Sequence, residues 1–440
     1  MQIYNIFLEK IILPVLDVFV GSSYIKSLKR WRKIDALSEN ELDELQKNRL
    51  RETLSFASEK VPFYKKLNLI EEINTKDWLQ KFPIISKNDL RDNLDDLLAE
   101  SKKSLVKIIS SGSSGVRTEV YMNQTDISSL RAGNTHWWEW GGYQIGSSLL
   151  QTGITTERSL FKKIKDIVFN VTYINAFALS EKQLKKICKN LSNKKQKYVL
   201  GYSSSLNVIA EYALENEYMI HLESVICLGD KLFSHYRKNI EKAFHCKVYE
   251  TYGSSEGFLV ASQYDLDYLY INTPQVYLEI LNDNGEPVED GQIGHVVVTR
   301  LDNTAMPLIR YRLGDLCVKL PRQHYPEKRA FAYPLLEKVI GRSTDLVILP
   351  DGKKLVVHSF TGVFEHFREI KQFKVIQNSV KGIEIEFIPS EVYNKGVLIK
   401  IENRLQEFIQ NESFRIIFKE VNYISATKSG KPQIIKSSII

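Results

Sequence analysis

Ser110, Ser111, Gly112, Ser113, Ser114 and Gly115 crowd four hydroxyls and two glycines together, and Arg117 and Thr118 follow at once. Glycine reaches backbone angles that other residues avoid. Gly112 and Gly115 therefore let successive N–H groups turn into one hollow, and such a hollow binds anions. The serines add hydroxyl donors, and Arg117 adds a fixed charge whose fork suits phosphate. The alternative is a hairpin loop that holds nothing. A Walker A loop is excluded, because it needs G-x-x-x-x-G-K-[ST] ahead of a helix. Here the glycines stand too close, no lysine follows, and Thr118 to Tyr121 alternate as a strand does.

Four later segments gather polar residues at the ends of apolar runs: YETYGSSEG (Tyr249 to Gly257), PLIRYRLGDL (Pro307 to Leu316), GRSTDLVILPDGKKL (Gly341 to Leu355) and TKSGKPQIIK (Thr427 to Lys436). Glu256 and Asp315 supply carboxylates, Arg342 a guanidinium and Lys431 an ammonium. Each also has a structural reading. Asp315 can shape a turn, Gly341-Arg342 can be a linker, and Lys431 can be a solvated tail residue.

A chain of 440 residues is too long for one core, so at least two domains are expected. Residues 35–100 read as helices. Ser38 with Glu41 makes a capping-box pattern, Pro62 and Pro83 break the run, and Ser86 caps again. Residues 105–125 read as strand, loop, strand. From 126 to 250, helical segments alternate with the short apolar runs SLLQTGI, KYVLGYS, SVICLGD and KVYETYG, which implies a mostly parallel sheet. Residues 268–320 alternate as antiparallel or barrel-like strands, and 345–440 form a small α+β unit. Trp137, Trp138 and Trp140 cannot all face one way on a helix, so some belong to the core.

Hydrophobic content of 43% and 26% charged residues describe an ordinary globular protein. The net charge of +7 is mild and mixed along the chain, so it suits small anionic substrates and argues little for nucleic acid. Cys188, Cys227, Cys246 and Cys317 show neither metal-ligand spacing nor a disulfide framework, which fits a reducing cytosol. No run reaches the ~20 apolar residues of a spanning helix. Ile3 to Val20 is apolar with helical spacing, and Lys26, Lys29, Arg30, Arg32 and Lys33 then cluster around Trp31. That order fits a segment on an anionic membrane surface or a helix packed on the protein body. The packed helix is the expectation. A cytoplasmic protein follows, with peripheral contact at the cytoplasmic face through residues 1–34 as the alternative.

Taken in order, SSGSSGVRT, VICLGDKL, TYGSSEG, IRYRLGD, GRSTD and SGK resemble the adenylate-forming superfamily of acyl-CoA synthetases and adenylation domains. The chain looks closest to the phenylacetate–CoA ligase-like family, in the branch associated with capsular and O-antigen polysaccharide clusters. The resemblance runs from about Leu50 to the end. It implies an α/β fold: a large N-terminal ATP- and acyl-binding domain (1–343, with 1–100 mainly helical), built of mixed and parallel sheets flanked by helices plus a barrel-like part. A small mobile α+β domain (344–440) follows. It also implies two half-reactions. ATP and a small carboxylic acid give an acyl-adenylate and pyrophosphate, and the acyl group then passes to coenzyme A. The alternatives are transfer to an amine, such as an amino sugar or amino acid, and a non-catalytic nucleotide-binding homologue. Intact Glu256, Asp315 and Lys431 argue against the latter.

The resemblance also implies roles. Ser110 to Gly115, with Arg117 and Thr118, cradle the β- and γ-phosphates. Glu256 ligates Mg²⁺, and Ser255 contacts the α-phosphate. Gly229, Asp230, Tyr252 and Gly253 lie around the adenine. Asp315 grips the ribose hydroxyls, Arg342 stands near the ribose and the domain junction, and Lys431 enters the site during adenylation. The hinge falls at Thr344 or Asp345. His136, Tyr202 and Ser203 are candidate walls of the acyl pocket, His136 with a structural role as its alternative. Three departures stand out: Arg117 replaces a usual proline, Asp230 a usual glutamate, and only Cys317 lies in 317–341, so no structural zinc is expected. The reading includes a homodimer among its partners and no nucleic acid.

Overall fold

The computed structural model describes residues 2–70, 77–109, 119–153, 159–176, 179–342, 346–352, 354–364, 366–411, 413–425 and 433–439. These form two compact units. The first runs to Lys338 without Gly314–Cys317; the second takes Gly314–Cys317 and the chain from Val339 onward.

The first unit opens with α1 (Gln2–Phe7), a π-helical turn (Leu8–Ile12), α2 (Leu13–Phe19), α3 (Tyr24–Ile34), α4 (Glu39–Lys60), α5 (Pro62–Lys65) and α6 (Lys87–Asp92). The caps lie where the sequence puts them. Glu41 N donates to Ser38 Oγ at 3.4 Å while Ser38 N donates to the Glu41 carboxylate at 2.8 Å. Ser86 and Asp89 repeat the pattern at 3.3 and 2.8 Å. Each box satisfies two N–H groups that a helix start leaves without intrahelical acceptors.

The chain continues through the hairpin β1 (Val106–Ile109) and β2 (Glu119–Met122), then α7 (Gln124–Trp140), β3 (Leu149–Gly153), α8 (Leu160–Val168), β4 (Val171–Asn175), α9 (Glu181–Ser192), β5 (Tyr198–Tyr202), α10 (Ser203–Glu215), β6 (Ser224–Leu228), α11 (Ser234–Phe244) and β7 (Lys247–Gly253). Next come β8 (Leu259–Gln263), β9 (Leu269–Ile271), β10 (Val276–Leu281), β11 (Ile293–Arg300), β12 (Tyr311–Lys319) and β13 (Leu335–Arg342). The large sheet has the order β10-β11-β12-β13-β9-β8-β7-β6-β5-β3-β4. Strands β3 to β7 are parallel, and β7–β8, β8–β9 and β10–β11 are antiparallel. The antiparallel strands expected after residue 268 thus extend the same sheet as the parallel ones.

Helices α9, α10 and α11 cover the parallel half. Leu184, Ile187, Leu206, Ile209, Ile240 and Phe244 bury against Val199, Val225 and Val248. That burial stabilises by roughly 1.5–3 kcal/mol per large aliphatic side chain. Helix α3 sets Ile25, Leu28, Trp31 and Ile34 into a second core that holds Ala132, Trp137 and Trp140 of α7, with Leu8 and Leu13 from the N-terminal helices. Trp138 belongs to a separate cluster around Tyr143 and Tyr198. The three tryptophans therefore serve two cores.

The second unit carries the hairpin β14 (Leu346–Ile348) and β15 (Lys354–Val356), then α12 (Val357–Phe364), β16 (Ile370–Ser379), β17 (Gly382–Pro389), α13 (Gly396–Ile409), β18 (Arg415–Glu420) and β19 (Ile435–Ser437). Its sheet has the order β18-β17-β16-β19, with β19 parallel to β16. Among the described residues, no helix is long and apolar enough to cross a membrane.

Candidate active site

Three groups of residues named from the sequence lie at the carboxyl ends of adjacent parallel strands β5, β6 and β7. Open α/β sheets bind ligands just outside such ends. After β6, Gly229 has φ +79°, an angle that glycine adopts without steric cost. A Cβ there would stand 2.4 Å from the Tyr202 ring. The ring at the end of β5 therefore lies directly against the Gly229 backbone. Burial pushes the Tyr202 hydroxyl up to about 12, so it stays neutral.

Asp230 is committed to a helix. Its carboxylate accepts from Ser203 N at 2.6 Å, from Ser204 N at 3.2 Å and from the Ser204 hydroxyl, while Ser203 Oγ donates to the Asp230 carbonyl at 3.2 Å. These are the first N–H groups of α10, and a negative charge at a helix start is favoured by the dipole. The Asp230 carboxylate organises the start of α10. Ser203 is fully buried in this set.

Strand β7 ends in Tyr252 and Gly253, with a register shift between them. A Cβ on Gly253 would stand 2.6 Å from the Phe258 carbonyl oxygen. The turn that follows is closed by Ser254 N donating to Phe258 O at 2.9 Å and Gly257 N donating to Ser254 O at 3.0 Å. Gly257 has φ +90°, and a Cβ there would stand 2.4 Å from Met122 Cε and 2.6 Å from Arg300 Nη1. The angle favours glycine at that position, and a Cβ would have to displace the ends of the Met122 and Arg300 side chains. The turn presents Ser255 and Glu256. Glu256 is only 3% exposed, with Oε1 3.5 Å from the Tyr311 hydroxyl and Oε2 3.4 Å from Ser255 Oγ. A buried carboxylate flanked by hydroxyls is a hard oxygen donor. Mg²⁺ takes one or two carboxylates together with substrate phosphates and retained waters, and this donor set fits it.

Sequence reading missed what supports that turn. Arg300, at the end of β11, is completely buried and donates to Asp302 Oδ1 at 2.7 Å. Asp302 Oδ2 accepts from Ser129 Oγ at 2.7 Å and Gln275 Nε2 at 3.1 Å, and Gln275 Oε1 accepts from Leu259 N at 2.9 Å. Burial works against the Asp302 charge, but Arg300 and these donors outweigh it and lower its pKa. The one sequence signal was the R-x-D spacing at the end of a strand.

In the second unit, Asp315 and Arg342 come together, with Arg342 Nε 3.2 Å from Asp315 Oδ1. Gly314, at φ +81°, sets the bend before the carboxylate. Ser110 to Thr118, the hinge candidates Thr344 and Asp345, and Lys431 lie outside the described residues. Their neighbours are in place. β1 and β2 pair from Val106↔Met122 to Ile109↔Glu119, so the Ser/Gly segment joins the two strands of a hairpin. β19 follows the SGK segment.

His136 sits in a buried polar cluster. Its Nε2 lies 3.1 Å from Asp35 Oδ1; Asp35 also accepts from Trp140 Nε1 at 3.0 Å and from the Tyr333 hydroxyl at 2.9 Å. Glu139, 3.7 Å from His136 Nδ1, is held by Arg32, which also binds Glu9. Burial opposes a charged imidazole, but the bonds to Asp35 and Glu139 outweigh it and raise its pKa. The ring pins α7 to α3.

No family model matches the chain. Protein CapK of Staphylococcus aureus is 26% identical over 432 residues, covering 94% of this chain and 92% of that protein. Phenylacetate-coenzyme A ligase of Escherichia coli (strain K12) is 26% identical over 358 residues, covering 72% of this chain and 74% of the ligase. Among solved structures, 2-hydroxyisobutyryl-CoA ligase in the postadenylation state, in complex with 2-HIB-AMP, matches with a TM-score of 0.75 at 17% identity, with 92% of each chain covered. The structural likeness establishes the fold, a large sheet flanked by helices with a C-terminal domain. The relatives support the adenylate-forming superfamily and an adenylate-forming ligase.

Proposed function

We propose that this protein, as a member of the adenylate-forming superfamily, activates a small carboxylic acid with ATP and passes the acyl group to the thiol of coenzyme A. The observation that carries the reading is the Ser254–Gly257 turn, which holds one buried carboxylate at the end of a parallel strand beside the Gly229–Tyr202 stack.

Attack of a carboxylate on the α-phosphate builds charge on oxygens that already repel the nucleophile. Cations and donors fixed at those oxygens lower the barrier. Ser110 to Gly115, with Arg117 and Thr118, bind the departing phosphates, and the Ser255 hydroxyl donates to the α-phosphate. Glu256 would hold Mg²⁺, which supplies charge neutralisation at the phosphate oxygens when bound. Gly229, Asp230, Tyr252 and Gly253 lie around the adenine, and the Tyr202 ring beside Gly229 walls the acyl pocket. Asp315 accepts from the ribose hydroxyls, and Arg342 orients Asp315. Lys431 enters for adenylation, and the C-terminal unit then turns about Thr344 or Asp345 for thioester formation. The motifs' resemblance to the polysaccharide-cluster branch favours a setting in surface-polysaccharide synthesis.

The test is to incubate the protein with ATP, Mg²⁺ and a panel of carboxylic acids, with either coenzyme A or an amino sugar as acceptor, and to weigh the products. AMP, pyrophosphate and an acyl-CoA are expected. An amide with no thioester would overturn the choice of acceptor. Asp315→Ala should raise the KM for ATP by about tenfold or more with a smaller change in kcat, since a hydrogen bond to a charged group contributes roughly 1.5–3 kcal/mol. An unchanged KM would return Asp315 to a purely structural role.

A further inference from the structure

Two amphipathic elements of the first unit turn apolar faces to solvent. On α8, Leu160, Ile164 and Ile167 share one face by their spacing and are 75%, 53% and 77% exposed. In the N-terminal helices, Asn5, Leu8 and Leu13 are buried against the body, whereas Ile3, Phe7, Ile11, Val15, Val18 and Phe19 point outward. Val18 and Phe19 are more than four-fifths exposed. The Tyr4 hydroxyl donates to the Val168 carbonyl at 2.6 Å, which ties α1 to the end of α8. Exposed apolar side chains gathered on neighbouring elements mark a contact site.

The exposed charged side chains of these elements are basic. Lys162, Lys163 and Lys165 on α8, Lys10 in the N-terminal π-helical turn, and Lys26, Lys29, Arg30 and Lys33 on α3 are all exposed. The acidic groups of these elements are Glu9, Asp17 and Asp166. Arg32 holds Glu9, Asp17 accepts from Ile25 N at 2.8 Å, and Asp166 is half-buried.

We propose that this surface docks peripherally on an anionic lipid bilayer. The apolar faces of α1, α2 and α8 enter the boundary between headgroups and acyl chains, and the surrounding lysines meet lipid phosphates. Charge complementarity favours lipid over a second copy of the chain. A two-fold interface sets a patch against itself, and this one would bring its own lysines together. The buried inner face of the same helices explains how the segment packs on the body and meets a membrane at once.

The test uses the full chain and vesicles of phosphatidylcholine alone or mixed with phosphatidylglycerol. The protein should sediment with the mixed vesicles and not with the neutral ones, and added salt should release it. Lys162→Glu with Lys163→Glu should weaken binding by at least about tenfold, since each basic residue near the surface contributes roughly a fivefold gain. Ile167→Asp should abolish sedimentation while leaving the melting temperature and acid-dependent pyrophosphate release unchanged. The proposal is overturned if the wild-type chain stays in the supernatant with anionic vesicles at low salt, or if Ile167→Asp sediments like wild type. It is equally overturned if sedimentation velocity shows a dimer that Ile167→Asp splits, because a second copy then covers the surface.

Discussion

Lys431→Ala is expected to lower adenylate formation by about 10²–10³-fold, the range for removing one preorganised donor from developing charge. Lys431 is the one proposed catalytic cation in the C-terminal segment, and the proposed cycle uses it in only one half-reaction. Thioester formation from a preformed acyl-adenylate should therefore change far less. The comparison needs two assays on one preparation: pyrophosphate release from ATP and acid, and consumption of synthetic acyl-adenylate with coenzyme A. Equal losses in both would contradict an alternating C-terminal unit. No loss in either would remove Lys431 from the catalytic set.

Glu256→Gln should be nearly as damaging, with adenylation falling by on the order of 10²-fold. The amide keeps the size of the side chain, and the Gly257 turn does not depend on the charge, so the melting temperature should hold. What is lost is the anionic oxygen for a hard cation. The variant should then require more Mg²⁺ for half-maximal rate, a readout that a packing defect would not move. An unchanged Mg²⁺ requirement with full activity would assign Glu256 to the turn alone.

The sequence is informative where the physics is local. Ser38 with Glu41 and Ser86 with Asp89 close within one helical turn, so their caps are legible from spacing. The apolar runs that became β3, β5, β6 and β7 carry strand composition over a few residues, and the Gly-rich ends mark where the sheet gives way to loops. The polar motifs Gly229-Asp230 and Ser255-Glu256 fall at those ends for that reason. What was not legible depends on pairs far apart in the chain. Met122 meets Arg300 and Ser129 meets Asp302 across more than 170 residues. His136 finds Asp35 across 101 residues, and no periodicity records such a meeting. The Asp230 carboxylate meets Ser203 N across 27 residues, a pairing that no local spacing announces. Strand β16 is not legible because lysines and polar residues interrupt its apolar alternation, and pairing with β17 completes it.

The central claim is that this chain joins a carboxylate to AMP. Its most direct measurement is pyrophosphate release from ATP in the presence of Mg²⁺, a panel of carboxylic acids and hydroxylamine, with no coenzyme A. The expected result is acid-dependent pyrophosphate and an equal amount of the acyl hydroxamate, both lost in Glu256→Gln. Adenine nucleotide binding without pyrophosphate or hydroxamate for any acid tested would contradict it, and would leave a nucleotide-binding protein with an adenylation fold.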